Sequence, residues 1–192
     1  MTMRGLIIDF GGVLSTPFED SAKAFCKREG IEPNALTNAL KANAELVADL
    51  ERGSTTQEHF NEVIGLRLKL FPDDLVERIT RGMQLRQDVV RAVRDTKAKV
   101  AVLTNSLGSE PFDLYQRFDL DVDALIASDR YKMRKPDPEI YRIAAGSIGT
   151  APEDCVYVDD AQKFLEPAGA LGMTTVLATS PEVTIKALAE LF

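Results

Sequence analysis

The sequence predicts an α/β protein, a doubly wound parallel sheet with a small α-helical cap inserted after the first strand. Short apolar runs alternate with helical periodicity over residues 87–192, which is typical of parallel strands joined by helices. Before that region, an apolar strand at residues 4–9 is followed by helical periodicity alone. We therefore predict a core domain of residues 1–15 and 86–192, and a helical cap domain of residues 16–85.

The individual elements can be placed along the chain from these patterns. In the cap, Ser54 and Gln57 form a capping-box signal before a helix, and Phe71-Pro72-Asp73 restarts another helix. The connections near Pro17 and Leu85 are the expected hinges of the cap. In the core, strands are expected at residues 100–103, 124–127, 155–158 and 174–177, with helices near 111–118, at 138–147, up to residue 171 and from residue 181.

Composition limits the classes of partner and compartment. The chain has 192 residues, 45% of them hydrophobic, which is enough for one sizeable core. The net charge of -7 argues against nucleic acid as a partner. No apolar run approaches the roughly 20 residues that a membrane span needs. Cys26 and Cys155 form no metal-binding motif and are expected to be buried thiols. We expect a cytoplasmic protein, and the sequence gives no indication of its oligomeric state.

Polar side chains follow three of the predicted strands. Asp9 ends the first strand and is followed by Phe10-Gly11-Gly12, where glycine allows a sharp turn close to a ligand. A carboxylate in this position must be paired, hydrogen-bonded or bound to a metal. Open α/β sheets bind ligands outside the carboxyl ends of their strands. The remaining polar groups are Thr104-Asn105 after the second strand, Lys135 on a later loop, and Asp159-Asp160 after the strand at 155–158.

An Asp, a Thr, a Lys and an acidic pair in this order resemble the haloacid dehalogenase-like (HAD) hydrolase superfamily. The resemblance extends from Met3 to about Thr179 and implies a Rossmann-like core. It also implies that Asp9 is a nucleophile that forms an aspartyl-phosphate. Lys135 would neutralise the two anions that meet in this reaction, the carboxylate of Asp9 and the phosphoryl group.

The resemblance further implies a substrate site and a magnesium site. Thr104, Asn105 and the backbone at Gly12 would bind the phosphoryl group. Adjacent carboxylates repel each other unless a cation lies between them, and a hard ion such as Mg²⁺ suits oxygen ligands. The implied metal ligands are Asp9, the carbonyl of Gly11, Asp159 and Asp160.

Each of these residues also has a purely structural interpretation. Thr104-Asn105-Ser106 is ordinary turn chemistry, and acidic residues are favoured at a helix N-terminus, as at Asp159-Asp160. Asp137 and Pro138 suit the start of a helix, which leaves Lys135 unexplained. His59, the only histidine, is expected to be a helix surface residue.

Two positions depart from the usual phosphatase pattern. The family commonly carries a second Asp two residues after the nucleophile, which protonates the leaving oxygen, and Gly11 stands there instead. Phe164 replaces a common Asn or Asp after the acidic pair. Without the second Asp, hydrolysis would be slower, confined to good leaving groups, or served by an acid from the cap or by water.

Three functions remain open from the sequence. The leading one is a Mg²⁺-dependent phosphatase of a small phosphorylated metabolite, which the Asp159-Asp160 pair favours. The second is a non-catalytic domain that binds a metabolite or a protein, as Gly11 and Phe164 would allow. The third is a 2-haloacid dehalogenase, against which counts the absence of any arginine between Asp9 and Lys27.

Overall fold

The computed structural model describes residues 4–118 and 120–192 and contains a five-stranded, wholly parallel sheet. The strands are β1 (Gly5–Ile8), β2 (Lys99–Thr104), β3 (Ala124–Ala127), β4 (Cys155–Asp159) and β5 (Thr174–Leu177). Their order is β3-β2-β1-β4-β5, so the first strand lies at the centre. The predicted fold class is confirmed.

Helices cover both faces of the sheet. The side chains of β1 alternate between the faces: Leu6 and Ile8 pack into one hydrophobic cluster, and Ile7 packs into the other. β1 is fully buried, as its unbroken apolar sequence requires. The helices of the core are α6 (Gln87–Asp95), α7 (Ser128–Tyr131), α8 (Pro138–Ser147), α9 (Gln162–Ala170) and α10 (Pro181–Leu191).

Five α-helices lie between β1 and α6 and form what we call the five-helix insert. They share a hydrophobic cluster that includes Phe25, Leu36, Phe60 and Leu75, so the insert has a core of its own. The helices are α1 (Phe18–Glu29), α2 (Ala35–Ala42), α3 (Ala44–Glu51), α4 (Gln57–Leu68) and α5 (Leu75–Thr80). None of the helices in residues 4–118 and 120–192 has the length and apolar character needed to cross a membrane.

The two chain segments that connect the insert to the sheet run side by side. Ser15 and Leu85 form an antiparallel bridge. The backbone N–H of Thr16 donates to the carbonyl of Gln84 at 2.9 Å, next to this bridge. The insert is thus attached through a short two-stranded ladder, close to the hinges expected near Pro17 and Leu85. The domain boundaries themselves stay a prediction, and residues 1–3 of the predicted core lie outside the described residues.

Two predicted local structures are wrong. Ser54 does not cap a helix: α4 begins after Thr56, whose side chain accepts a hydrogen bond from the backbone N–H of His59. The expected helix near residues 111–118 is a single 3-10 turn, Leu114–Arg117. The turn does not extend into a longer helix. The side chain of Asp113 caps its start, and Phe118 ends it in an extended conformation.

Candidate active site

A buried lysine joins two carboxylates at the carboxyl edge of the sheet. Lys135 Nζ lies 2.9 Å from Asp9 Oδ1 and 2.7 Å from Asp159 Oδ2. Asp9 directly follows β1, and Asp159 ends the adjacent strand β4, so the parallel pairing of the two strands brings them together. Lys135 is 1% exposed and Asp159 is fully buried. The predicted nucleophile and its predicted counter-ion are therefore in direct contact.

Burial and charge act in opposite directions on this pair. Burial raises the pKa of Asp9 to about 7, although Lys135 opposes the change. Burial alone would lower the pKa of Lys135, but the carboxylates of Asp9 and Asp159 outweigh burial and raise it. The ammonium group of Lys135 is therefore firmly charged. The protonation of Asp9 depends on the charge of any group that binds beside it.

Asp159 is fixed by three donors. Lys135 Nζ and the hydroxyl of Tyr157 both donate to its Oδ2. Its Oδ1 accepts from the backbone N–H of Ala161 at 2.8 Å, just before α9 begins. A buried carboxylate with this many donors has a single orientation, and it holds the ammonium group of Lys135 beside Asp9.

Phe164 occupies the position at which the family often has a polar residue. Its ring centroid lies 4.8 Å from Lys135 Nζ, which is a cation–π distance. The backbone carbonyl of Phe164 accepts a hydrogen bond from the hydroxyl of Tyr141 at 2.9 Å. An aromatic face thus lies against the ammonium group of Lys135.

Three carboxylates are grouped closely enough to hold a cation. Asp9, Asp159 and Asp160 each offer an oxygen atom within 4.8 Å of the others. Asp159 and Asp160 both stand at the end of β4, but Asp160 is exposed. Burial, followed by the charge of Asp159, raises the pKa of Asp160. Such a cluster is electrostatically unfavourable with all groups ionised, and a divalent cation would relieve the repulsion.

The turn after Asp9 depends on one glycine. Gly12 has a φ of +82°, a left-handed conformation, and a Cβ atom built there would lie 2.1 Å from Asp160 Oδ2. Arg86 Nη1 donates to the carbonyl oxygen of Gly12 at 2.6 Å and fixes the turn. Gly12 therefore lets the backbone pass against the acidic cluster.

Gly11 differs from its neighbour. Its φ of -72° is open to any residue, and a Cβ atom built there meets no atom within 4 Å. The side chain missing at this position therefore leaves open space.

The polar residues after β2 lie at the same edge of the sheet. Thr104 is 4% exposed, and its Oγ1 is 3.1 Å from the hydroxyl of Tyr115. The side chain of Asn105 holds the backbone of Lys135: its Oδ1 accepts from the N–H at 2.8 Å, and its Nδ2 donates to the carbonyl at 3.1 Å. Asn105 thus positions the lysine loop, a contact that the sequence did not indicate.

A cavity of about 220 Å³ opens beside these residues, between the five-helix insert and the sheet. Gly11, Thr104 and Asn105 line its floor, and Glu51 is the single carboxylic acid that lines it within the described residues. Glu51 could not be predicted from the sequence, because one acid at the end of an amphipathic helix carries no signal. His59 is exposed on α4 and does not line this cavity. The other lining residues are mostly apolar: Phe10, Phe18, Leu40, Val47, Met83, Leu107, Leu114 and Tyr115.

The basic residues before Lys135 connect the core to the insert. Arg134 Nε lies 2.7 Å from Glu51 Oε2, and Lys132 Nζ donates to the carbonyl of Gly53 at 2.7 Å. These contacts give Arg134 and Lys132 a structural role that requires no substrate.

The family model of the haloacid dehalogenase-like hydrolases matches residues 3–172. The chain belongs to this family. The acid-lysine-acid arrangement described above therefore lies in an HAD-like hydrolase fold, as the resemblance predicted.

Curated relatives are distant and mostly longer. The chain is 23% identical to mouse acyl-CoA dehydrogenase family member 10 over 96% of its own length and 19% of the relative's. It is 22% identical to pig bifunctional epoxide hydrolase 2 over 98% of its length and 38% of the relative's. It thus spans well under half of these two proteins. Hexitol phosphatase B of Escherichia coli is 22% identical over 74% of this chain and 76% of that protein.

Solved structures share the fold. An HAD family enzyme of Bacteroides thetaiotaomicron in complex with magnesium and inorganic phosphate has a TM-score of 0.65 and 20% identity, and covers 90% of this chain and 92% of its own. L-2-haloacid dehalogenase from Xanthobacter autotrophicus, with chloropropionic acid covalently bound, has a TM-score of 0.69 and 18% identity. It covers 98% of this chain and 88% of its own. At such identities the likeness establishes the fold and leaves the reaction open.

Proposed function

We propose that the protein is a Mg²⁺-dependent phosphatase of a small phosphorylated metabolite, and that it acts through an aspartyl-phosphate on Asp9. The observation that carries this proposal is the contact of Asp9 with the buried Lys135, 2.9 Å apart, next to the acidic pair Asp159-Asp160. A lone buried carboxylate would either take up a proton or, if ionised, repel the anionic phosphate. A carboxylate with a buried ammonium group beside it can meet an anionic phosphoryl group.

The proposed reaction has two steps. Asp9 attacks phosphorus, the bond to the leaving oxygen breaks, and an aspartyl-phosphate forms. Lys135 stabilises the charge that develops on the phosphoryl oxygens, and Thr104 contributes its hydroxyl group. Water then attacks phosphorus and releases inorganic phosphate, which restores the carboxylate of Asp9.

The residues present fit a magnesium ion. The donors of Asp9, Asp159 and Asp160 are all carboxylate oxygens, the ligands that Mg²⁺ prefers, and Gly12 leaves the space that Asp160 needs. The backbone carbonyl of Gly11 is the fourth ligand that we propose. When bound, Mg²⁺ would offset the repulsion between the substrate and these carboxylates.

The cavity supports a small substrate. Its volume of about 220 Å³ suits an organic group of a few heavy atoms, and its walls are mostly apolar. We propose that the five-helix insert, within residues 16–85, acts as the cap domain over a core of residues 1–15 and 86–192. The insert would then select the organic part of the substrate while the core carries out the chemistry.

Phosphate release from a panel of metabolites, with and without Mg²⁺, tests the proposal. Acetyl phosphate, small alkyl phosphates and sugar phosphates should include at least one substrate, and chelation should stop its turnover. Asp9→Asn should abolish release, because an amide is a far weaker nucleophile than a carboxylate. The matched control is Asp20→Asn on the exposed surface of α1, which should leave turnover unchanged. Full activity in excess chelator would reject the metal site.

A haloacid dehalogenase is a further candidate function, because Gly11 and the apolar cavity both suit a halide, which leaves without a proton. Against it, no arginine among the described residues lines the cavity to hold a substrate carboxylate. A 2-chloropropionate assay beside the phosphate panel separates the two. Loss of both activities in the folded protein would favour the non-catalytic binding domain.

A further inference from the structure

Glu51 is a carboxylic acid held inside the proposed leaving-group cavity. It is the last residue of α3, and its side chain is 14% exposed. Its backbone carbonyl accepts a hydrogen bond from Ser128 Oγ at 2.5 Å, which ties the end of the helix to the core. Its Oε2 lies 2.7 Å from Arg134 Nε and 3.5 Å from Asn105 Nδ2. The carboxyl group therefore has a defined place beside the residues that follow β2.

Glu51 is the one suitable proton donor that the described residues place in this cavity. Gly11 has no side chain, and the space a Cβ atom would take is empty. Of the groups lining the cavity in the described part of the chain, Glu51 and Tyr115 are the ones that can lose a proton. Burial raises the pKa of Tyr115 far above its ordinary value, and its hydroxyl is already engaged with Thr104. Glu51 is the remaining acid.

We propose that Glu51 is the catalytic acid and base that replaces the side chain missing at Gly11. This proposal rests on the phosphatase function proposed above. As Asp9 attacks phosphorus, the electrons of the breaking P–O bond pass to the leaving oxygen, which takes the proton of Glu51. In the second step the attacking water gives a proton back to Glu51, and the bond between phosphorus and Asp9 breaks.

The surroundings of Glu51 suit both protonation states. Burial raises its pKa, and nearby cations oppose this without cancelling it, so the group can carry a proton nearer to neutral pH than an ordinary glutamate. After the proton has left, Arg134 stabilises the carboxylate at 2.7 Å. The cations that act on Glu51 are Arg134, Lys135, Lys163 and Arg52.

A double-mutant cycle on two substrates tests the proposal. The variants are Glu51→Gln, Gly11→Asp and their combination. The substrates are acetyl phosphate, whose leaving group needs little protonation, and a small primary alkyl phosphate, whose leaving group needs a full proton. Glu45→Gln is the matched control, since Glu45 lies on the same helix with its side chain 84% exposed.

We expect Glu51→Gln to lower kcat/KM for the alkyl phosphate by about 10²-fold and for acetyl phosphate far less. Gly11→Asp should raise kcat/KM for the alkyl phosphate by a larger factor in the Gln variant than in the wild type, a non-additivity that marks a shared role. The alkaline limb of the pH profile for the alkyl phosphate should disappear in the Gln variant. Glu45→Gln should match the wild type.

Equal losses on both substrates, or equal gains from Gly11→Asp in both backgrounds, would overturn the assignment and leave Glu51 as a partner of Arg134 only. Circular dichroism checks that each variant is folded. Should the Gln variant not fold, Glu51→Asp keeps a carboxyl group and should retain the alkaline limb at a reduced rate, whereas its loss would overturn the proposal. Failure of the wild type to hydrolyse even acetyl phosphate with Mg²⁺ would instead reject the phosphatase function itself.

Discussion

Replacing Gly12 by alanine should damage both folding and metal binding. Gly12 has a φ of +82°, which costs an L-residue about 1–2 kcal/mol. The new Cβ atom would clash with Asp160 Oδ2, so the carboxylate of Asp160 must move from its place in the acidic cluster. The substitution should therefore lower the free energy of unfolding and displace one proposed ligand of the metal.

Gly11 provides a matched control one residue earlier. Its φ of -72° suits alanine, and the Cβ atom meets no atom within 4 Å. Gly11→Ala should stabilise the protein by about 0.4–1 kcal/mol, since alanine restricts the unfolded chain. The two alanine variants should thus differ by about 2 kcal/mol in free energy of unfolding.

Urea denaturation of the two variants measures this difference, and a thermal-shift titration with Mg²⁺ measures the effect on the metal site. Gly12→Ala should need more Mg²⁺ for half of the maximal shift than Gly11→Ala. Equal stabilities and equal Mg²⁺ responses would refute both the strained turn and the position of Asp160.

Two further predictions concern the charges of the site. In the metal-free protein the pKa of Asp9 is raised from 3.8 to about 7, so its carboxyl group contributes stability below about pH 4, which is lost as the pH rises through about 7. Because a metal needs the ionised form, Mg²⁺ should raise the melting temperature more at about pH 8 than at about pH 6, and an equal or smaller rise would count against the site. Phe164→Leu removes the ring 4.8 Å from Lys135 and should cost about 1–2 kcal/mol in urea denaturation, whereas an unchanged midpoint would show that the ring adds nothing beyond its bulk.

The sheet and its polar edge could be predicted because they follow from local sequence patterns. An apolar run such as Leu6-Ile7-Ile8 can be buried on both faces only in a central strand. Once the strands are parallel, their carboxyl ends meet, so that Asp9, Thr104 and Asp159 must lie at one edge. No detail of side-chain packing is needed for this step.

The contacts of individual side chains could not be predicted in the same way. The hydrogen bonds of Asn105 to the backbone of Lys135 join residues far apart in sequence, through loops that follow no period. The place of Glu51 depends on how the insert rests on the core. The helix predicted near residues 111–118 does not form, because tertiary packing and the cap at Asp113 outweigh local helical periodicity.

Trapping the phosphorylated enzyme shows whether Asp9 is the nucleophile. The protein is mixed with Mg²⁺ and its best substrate from the panel, quenched in acid during turnover, and digested for peptide mass spectrometry. We expect a hydroxylamine-sensitive phosphoryl group on Asp9, and none in Asp9→Asn. Release of phosphate with no phosphoryl group on Asp9, or with one on another residue, would contradict it.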